Sequence, residues 1–553
     1  MNSVKYLFAI LILLSSCGNV TVTKTNKIDK VDPVDYVSIL VGTQSKFELS
    51  TGNTYPAIAR PWGMNFWSPQ TGKMGDGWMY RYDADKIRGF KQTHQPSPWM
   101  NDYGQFAIMP MTGKAMFDED ERASWFSHKA EIAKPYYYSV YLADYDITTE
   151  LTPTEGSSIQ IIPEKNAIIG FTTRNSGGVP DNFKNYFVVV FDKPFTVNYG
   201  VNYSKKNVKM SSDLLQVKAD HAGAIVGFST KRGEEVHARV ASSFISYDQA
   251  WQNLKEVENK EFDVVKNEGR GSWNDVLAKV EIEDDNIDNK RVFYSTLYRS
   301  TLFPRKFYEI DAKGDVVHYS PYNGEVLPGY MYTDTGFWDT FRALFPLLNV
   351  MYPSVNVEIQ EGLVNTYKES GFLPEWASPG HRGIMIGNNS ASVVADAYLK
   401  GLRGYDIETL YEAMIHGTKN VHPTVSATGR AGHNYYNELG YVPYNVGVHE
   451  NAARPLEYGY DDWTIYKLAV ALDRPQEEID LFAKRSQNYR NLYSPEHKLM
   501  RGKNKDGSFQ SPFSPTKWGD AFTEGNSWHY TWSVFHDPQG LIGLMGGEKE
   551  FVN

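Results

Sequence analysis

The spacing of apolar residues changes character once along the chain, and that change sets the class of fold. Up to about Val265, apolar residues come in short runs rich in Val, Ile, Phe and Tyr, at 136–142, 167–173, 186–191, 224–229 and 236–240. Turn clusters such as Asn175-Ser176-Gly177-Gly178 and Lys231-Arg232-Gly233 separate them. Short runs bounded by turns read as strands of a β-sandwich. From about Gln249 the period lengthens. Ile287, Val292, Phe293, Leu297, Tyr298 and Leu302 form a stripe at helical spacing over 287–303. The same spacing predicts helices over 337–350, 355–370, 391–402, 407–416, 461–472, 475–491 and 537–545. The chain, at 553 residues, is too long for one compact domain. The reading is a multidomain β + α protein: an N-terminal β-sandwich over 34–265, then a helical toroid of the (α/α)6 type over 266–553.

Charge narrows the partners. Lys and Arg total 56 against 66 Asp and Glu, a net charge of −10, so no basic footprint for nucleic acid exists. Aromatic residues make up 14% of the chain, enough to supply stacking faces for sugars as well as core. With one cysteine, the chain has no intrachain disulfide and no Cys-based zinc site. That residue is Cys17. A lone Lys5, a short apolar run over 6–14 and small residues precede it, the pattern of an export signal too short to span a bilayer. Leu14-Ser15-Ser16-Cys17 resembles a bacterial lipobox, which implies a signal peptide over 1–17 and a lipid on Cys17. Residues 18–33 are polar and read as a tether. The expected location is therefore that of an exported bacterial lipoprotein, on the periplasmic face or the outer-membrane surface.

Four segments are denser in polar, aromatic and Gly residues than a scaffold requires. Residues 51–64 and 89–104 form Pro- and Gly-rich loops in which Trp99 offers a stacking face and His94 a hydrogen bond to a sugar. In Gly336-Phe337-Trp338-Asp339, a carboxylate beside an indole at a helix start suits a diol, although Asp is also a common N-cap. Asp461 and Asp462, after Glu457, read as helix-capping and structural. Glu524 stands in a Gly525-Asn526 turn with Trp528, Tyr530 and Trp532 close in sequence; an apolar wall would raise its carboxyl and make it a general acid.

Taken in order, several motifs resemble glycoside hydrolase family 92, the calcium-dependent exo-α-mannosidases: Val41-Gly-Thr, Pro61-Trp-Gly-Met, Thr93-His94, Asp102-Tyr-Gly, Trp338-Asp-Thr-Phe-Arg, Leu456-Glu-Tyr-Gly-Tyr-Asp-Asp-Trp, Met500-Arg-Gly, Thr523-Glu-Gly-Asn-Ser-Trp and His536-Asp-Pro-Gln-Gly-Leu. The resemblance runs from about Val31 to Asn553. It implies an inverting hydrolysis of terminal α-mannosidic linkages, α-1,2 above all, in glycans such as N-glycans. It also implies Ca2+ beneath the mannose, Glu524 as the general acid, and Trp99, His94, Trp338 and Asp339 as substrate contacts.

The chain departs from the family in one respect. The family's general base lies in a Gly-Asn-Asp-Asp-x-Gly-Gln-Met-Ser-Ala-Trp-Tyr segment that these residues lack. The helical spacing also supplies about eight helices, short of six hairpins. The expectation is a toroid incomplete at its C-terminus, an inactive fragment as it stands, with the base and the metal ligands unassigned. Two alternatives follow: a catalytically silent sugar-binding lipoprotein, or a toroidal polysaccharide lyase using His433, Tyr435 and Tyr436 for proton abstraction.

Overall fold

The structure is a computed structural model that describes residues 31–552 apart from Met74, 153–159, Ser176, 205–206 and Asp220. Cys17 and the expected signal peptide lie outside the described residues, as does most of the tether. The N-terminal region is sheet-rich and the C-terminal region helical, the β-sandwich and α/α toroid that the spacing predicts.

Every strand pair among the described residues is antiparallel. One sheet orders Phe66–Gln70, Gly89–Thr93 and Phe106–Ile108. A four-stranded sheet runs Ala238–Ser243, Asn185–Phe191, Ala167–Thr172 and Gln160–Ile162. Two further three-stranded sheets are centred on Val197–Ser204 and Tyr137–Leu142. Central strands such as Asn185–Phe191 are apolar on both faces because both are covered.

The helices Phe262–Leu277 and Ile287–Ser300 complete this first core. Trp273 and Tyr298 are fully buried, and their rings pack with centroids 4.9 Å apart at a tilt of 54°. The indole of Trp273 donates to the Ala59 carbonyl at 2.8 Å, and the Tyr298 hydroxyl to Ala57 at 2.6 Å. A boundary at residue 265 therefore cuts a helix that packs on the sheets. The helical spacing from about Gln249 does not say that this helix packs on the sheets rather than with the later helices.

A second core gathers Leu344–Met351, Pro353–Ser370, Ser390–Leu399, Ile407–Gly417, Ala453–Ala471 and Gln476–Arg485. Two expected helices differ. The one expected over 337–350 is broken: Phe337–Thr340 ends, and Leu344–Met351 begins after Ala343, whose φ of −141° is not helical. The one expected from Asp461 starts at Ala453, so Asp461 and Asp462 sit in mid-helix, fully buried, rather than at a cap. A short helix, His433–Leu439, was not foreseen; Gly432 and Gly440 close its two ends at φ of 76° and 77°.

The two regions are joined by a buried ion pair. Arg305, with no exposed surface, lies 2.9 Å from Asp334 and donates to the carbonyls of Met64 and Thr93. Tyr103 and Ser378 donate to the two Asp334 oxygens at 2.8 Å each.

Candidate active site

The helical side of the site is built where the strand Thr335–Gly336 runs into the Phe337–Thr340 turn. Glycine at 336 is required because a Cβ there would stand 2.0 Å from the Trp376 indole nitrogen. The Trp376 indole in turn hydrogen-bonds the exposed Asp339 carboxylate. Trp338 is half-buried and donates from Nε1 to Oε1 of Glu457 at 3.2 Å. The Arg342 guanidinium lies over both the Trp338 and Phe341 rings at 4.4 Å, a cation–π arrangement that holds it flat.

Beneath these groups runs a buried polar chain. Glu457 and Asp461, one helical turn apart, face the same way. The Asn389 amide donates to both, at 3.1 and 3.3 Å, and the Asn388 backbone N–H donates to Asp461 at 2.7 Å. Burial pushes Glu457 upward and Asp461 well above the usual carboxylate range, although Arg342 and Arg430 oppose it. Glu375 accepts from Asn388 and Ser390, and burial pushes it up to about 7. Asp462 pairs with the fully buried Arg430 at 2.6 Å and accepts from the Tyr436 hydroxyl at 2.9 Å. That contact occupies Tyr436 in the core and removes it from the lyase role.

Glu524 is carried on a pinned loop. The Gly519 N–H closes the loop onto the Gly525 carbonyl at 2.8 Å, and the Ala521 carbonyl accepts from Ala452 and Ala453 at 2.9 and 3.0 Å, tying it to the start of the long helix. Asn526 caps Ser527–Tyr530 reciprocally with His529, and Thr531 accepts from the Met500 N–H at 2.9 Å. Glu524 itself has φ of 46°, a left-handed conformation that a non-Gly side chain adopts at a cost. Such strain recurs at functional loops.

The aromatic wall expected around Glu524 is not there. Glu524 is exposed, Trp528 and Trp532 are half-exposed, and Tyr530 turns inward to stack on Phe522 at 5.4 Å. The cause is the one-turn helix 527–530, which fans out side chains that are close in sequence. Trp338 packs against the cluster that contains Phe522 and Tyr530, so the Glu524 loop and the Trp338–Arg342 segment share one wall.

On the N-terminal side, Trp99 is 60% exposed and packs edge-on against Trp78 and Phe47, with ring centroids 5.1 and 5.9 Å away. His94 differs from expectation. It is fully buried, its ring nitrogens engaged by the Tyr103 carbonyl and Asn65 at 2.6 Å each, and burial pushes it down to about 3. It cannot reach a sugar. With Asp102, which accepts from the His94 N–H and from Thr93 at 2.8 and 2.7 Å, it braces the loop that presents Trp99.

Arg342, Trp376 and Glu457 escaped the sequence reading as site residues. The Glu457/Asp461 spacing of one turn was a usable signal, masked because Pro455 and Gly459 obscured the helix start. Among the described residues, no group of three or more His, Cys, Asp or Glu side chains is arranged to hold a metal ion. The oxygens of Glu375, Glu457 and Asp461 are already taken by amide and hydroxyl donors, which does not fit the open oxygen cage that calcium needs.

Comparison with known proteins agrees with this architecture. A curated relative from Arthroderma benhamiae, described as an uncharacterized secreted glycosidase, is 23% identical over 94% of this chain and 73% of its own length. A solved structure of a family 92 inverting mannosidase from Bacteroides thetaiotaomicron superposes with a TM-score of 0.90 at 47% identity, over 95% of this chain and 73% of that one. A family 92 α-mannosidase from the same organism, solved with mannoimidazole, gives 0.80 at 27% identity, over 94% and 73%. The glycosyl hydrolase family 92 N-terminal domain matches residues 36–161 and 154–243, and the family 92 catalytic domain matches 249–553. With sheet-rich and helical regions both accounted for, the chain belongs to glycosyl hydrolase family 92.

Proposed function

We propose that this chain supplies the sugar-binding groups and the general acid of an exo-acting, inverting α-mannosidase acting on terminal, above all α-1,2, linkages of mannose-containing glycans. Glu524 is the general acid, and Asp339, Trp338 and Trp99 contact substrate. The observation that carries the reading is Glu524 itself: an exposed carboxylate held at positive φ on a loop pinned to the long helix, inside the matched catalytic domain. In the reaction, the Glu524 proton passes to the leaving oxygen as the C1–O bond breaks, and a nucleophile adds to C1 from the opposite face.

The base is left unassigned, because the family's Asp-bearing segment has no counterpart among these residues. A second reading is a silent mannoside-binding protein. Small azide ions distinguish the two. With 2,4-dinitrophenyl α-mannoside, azide should attack C1 as dinitrophenolate leaves and give the β-mannosyl azide. The α-azide would contradict inversion, and methyl α-mannoside binding with no azide product would support the silent reading.

Calcium is proposed for the family reaction on the resemblance alone. Among the described residues the donor set does not assemble its cage, so no step is routed through the metal. Export with a lipid on Cys17 is likewise proposed from the Leu14–Cys17 tetrad. Among the described residues, no helix is long and apolar enough to cross a membrane.

A further inference from the structure

We infer that Glu457 is a positioning residue of the sugar site, fixing the Trp338 indole and the Arg342 guanidinium from beneath. The inference rests on the reading of Trp338 as a substrate contact. Glu457 is 2% exposed and projects from the second turn of Ala453–Ala471. One oxygen, Oε1, accepts from Trp338 at 3.2 Å and lies 3.8 Å from Arg342 Nη2; the other accepts from Asn389 at 3.1 Å. Arg342 completes the arrangement by stacking on the Trp338 ring and donating from Nη1 to the Trp338 carbonyl.

Among the described residues, the groups that hydrogen-bond or pair with Glu457, an indole N–H, a guanidinium and an amide NH2, are donors, while the Asp461 carboxyl one turn on shares the Asn389 amide with it. A carboxylate is the one side-chain group of this size that accepts at both ends. A Gln retains an acceptor for Trp338 but presents an NH2 to a donor on its other side. A Leu leaves the indole N–H and the guanidinium unpartnered, and both are then free to take other orientations. Trp338 reaches the site from a turn of only four residues, Phe337–Thr340; its ring packs on the cluster that contains Phe522 and Tyr530, and Glu457 fixes the indole N–H end.

The test is ¹⁹F NMR of the chain labelled with 5-fluorotryptophan, in which Trp338→Phe identifies the Trp338 line among the 13 tryptophans. Glu457→Leu should move that line without moving the others and weaken methyl α-mannoside binding about tenfold, the effect of losing one hydrogen bond to a charged group. Glu457→Gln should leave the line in place and weaken binding less than about threefold. If Glu457→Leu does not fold, Glu457→Asp, which withdraws the carboxylate by one methylene, should move the line. A Trp338 line unmoved in the folded Leu or Asp variant overturns the inference, as does a moved line with unchanged mannoside affinity. A merely structural role would lower the melting temperature and leave the folded protein's line and affinity alone. If methyl α-mannoside shifts no line in the unsubstituted chain, the site reading fails first, and the positioning role falls with it. The ligand-free spectra keep the two failures distinguishable, because they report the Glu457–Trp338 contact without sugar.

Discussion

At the scale of single residues, backbone strain separates functional from structural need. Glu524 occupies a left-handed conformation at φ of 46° that costs an L side chain on the order of 1–2 kcal/mol and a glycine almost nothing. Glu524→Gly should therefore leave the melting temperature unchanged or raised while removing general-acid chemistry. A marked loss of thermal stability in that variant would mean the side chain serves the fold. His94 gives the opposite kind of prediction. Its folded pKa, about 3, lies below the ordinary value of 6.5, so protonation favours unfolding. The stability it contributes is full above pH 6.5 and is lost as the pH falls toward 3. Between pH 7 and pH 5 this amounts to about 2 kcal/mol from one histidine. Urea midpoints at the two pH values should differ less in His94→Gln than in the unsubstituted chain, and equal differences would contradict the assignment. The loop positions of Glu524 and Trp99 were legible from sequence because Gly, Asn and Pro mark rigid loops. The burial of His94 was not, since it depends on Asn65 and Tyr103, which the fold brings from other segments.

At the scale of elements, the long helix Ala453–Ala471 holds the polar floor of the site. Two adjacent aspartates on it differ sharply. Asp462 neutralises Arg430, and neither side chain has exposed surface. Asp461 faces amide donors, and burial holds it well above the usual carboxylate range. Replacing Asp462 by Asn strands a buried guanidinium and should cost roughly 3–5 kcal/mol. Asp461→Asn exchanges a group that the core already disfavours in its charged form, and should cost about 1 kcal/mol. Chemical denaturation of both variants checks this, and equal losses would show that the pair with Arg430 carries no special weight. Apolar spacing located most of the helices because a 3.6-residue stripe survives a polar insertion. The start of this one was hidden: Pro455, Gly459 and the Asp461-Asp462 pair imitate a helix beginning. Only tertiary packing, with a carboxylate network inside the helix, explains why it begins at Ala453.

At the scale of the whole molecule, the sheet-rich and helical regions share the Arg305–Asp334 pair, so the Trp99 loop and the Trp338 segment are set by one buried network. The change in apolar period announced this two-part architecture, but not that the helices 262–300 pack on the sheets; a helix stripe does not say which neighbour covers it. Export and anchoring belong to this scale too. Cys17→Ala should shift the protein from the detergent phase to the aqueous phase in phase-separation fractionation, and equal partitioning would retire the lipid anchor. The central claim, that Glu524 supplies the proton in an α-mannosidase reaction, is tested most directly by leaving-group dependence. With azide as nucleophile, rates are compared for a mannosyl-mannose substrate and for 2,4-dinitrophenyl α-mannoside, in the unsubstituted chain and in Glu524→Gln. General acid catalysis matters where the leaving group is a basic alkoxide, so the variant should lose on the order of 10²–10⁴-fold on mannosyl-mannose. It should lose little on the dinitrophenyl substrate, whose phenolate departs without a proton. An equal loss on both substrates would contradict the account and make Glu524 a binding or structural residue.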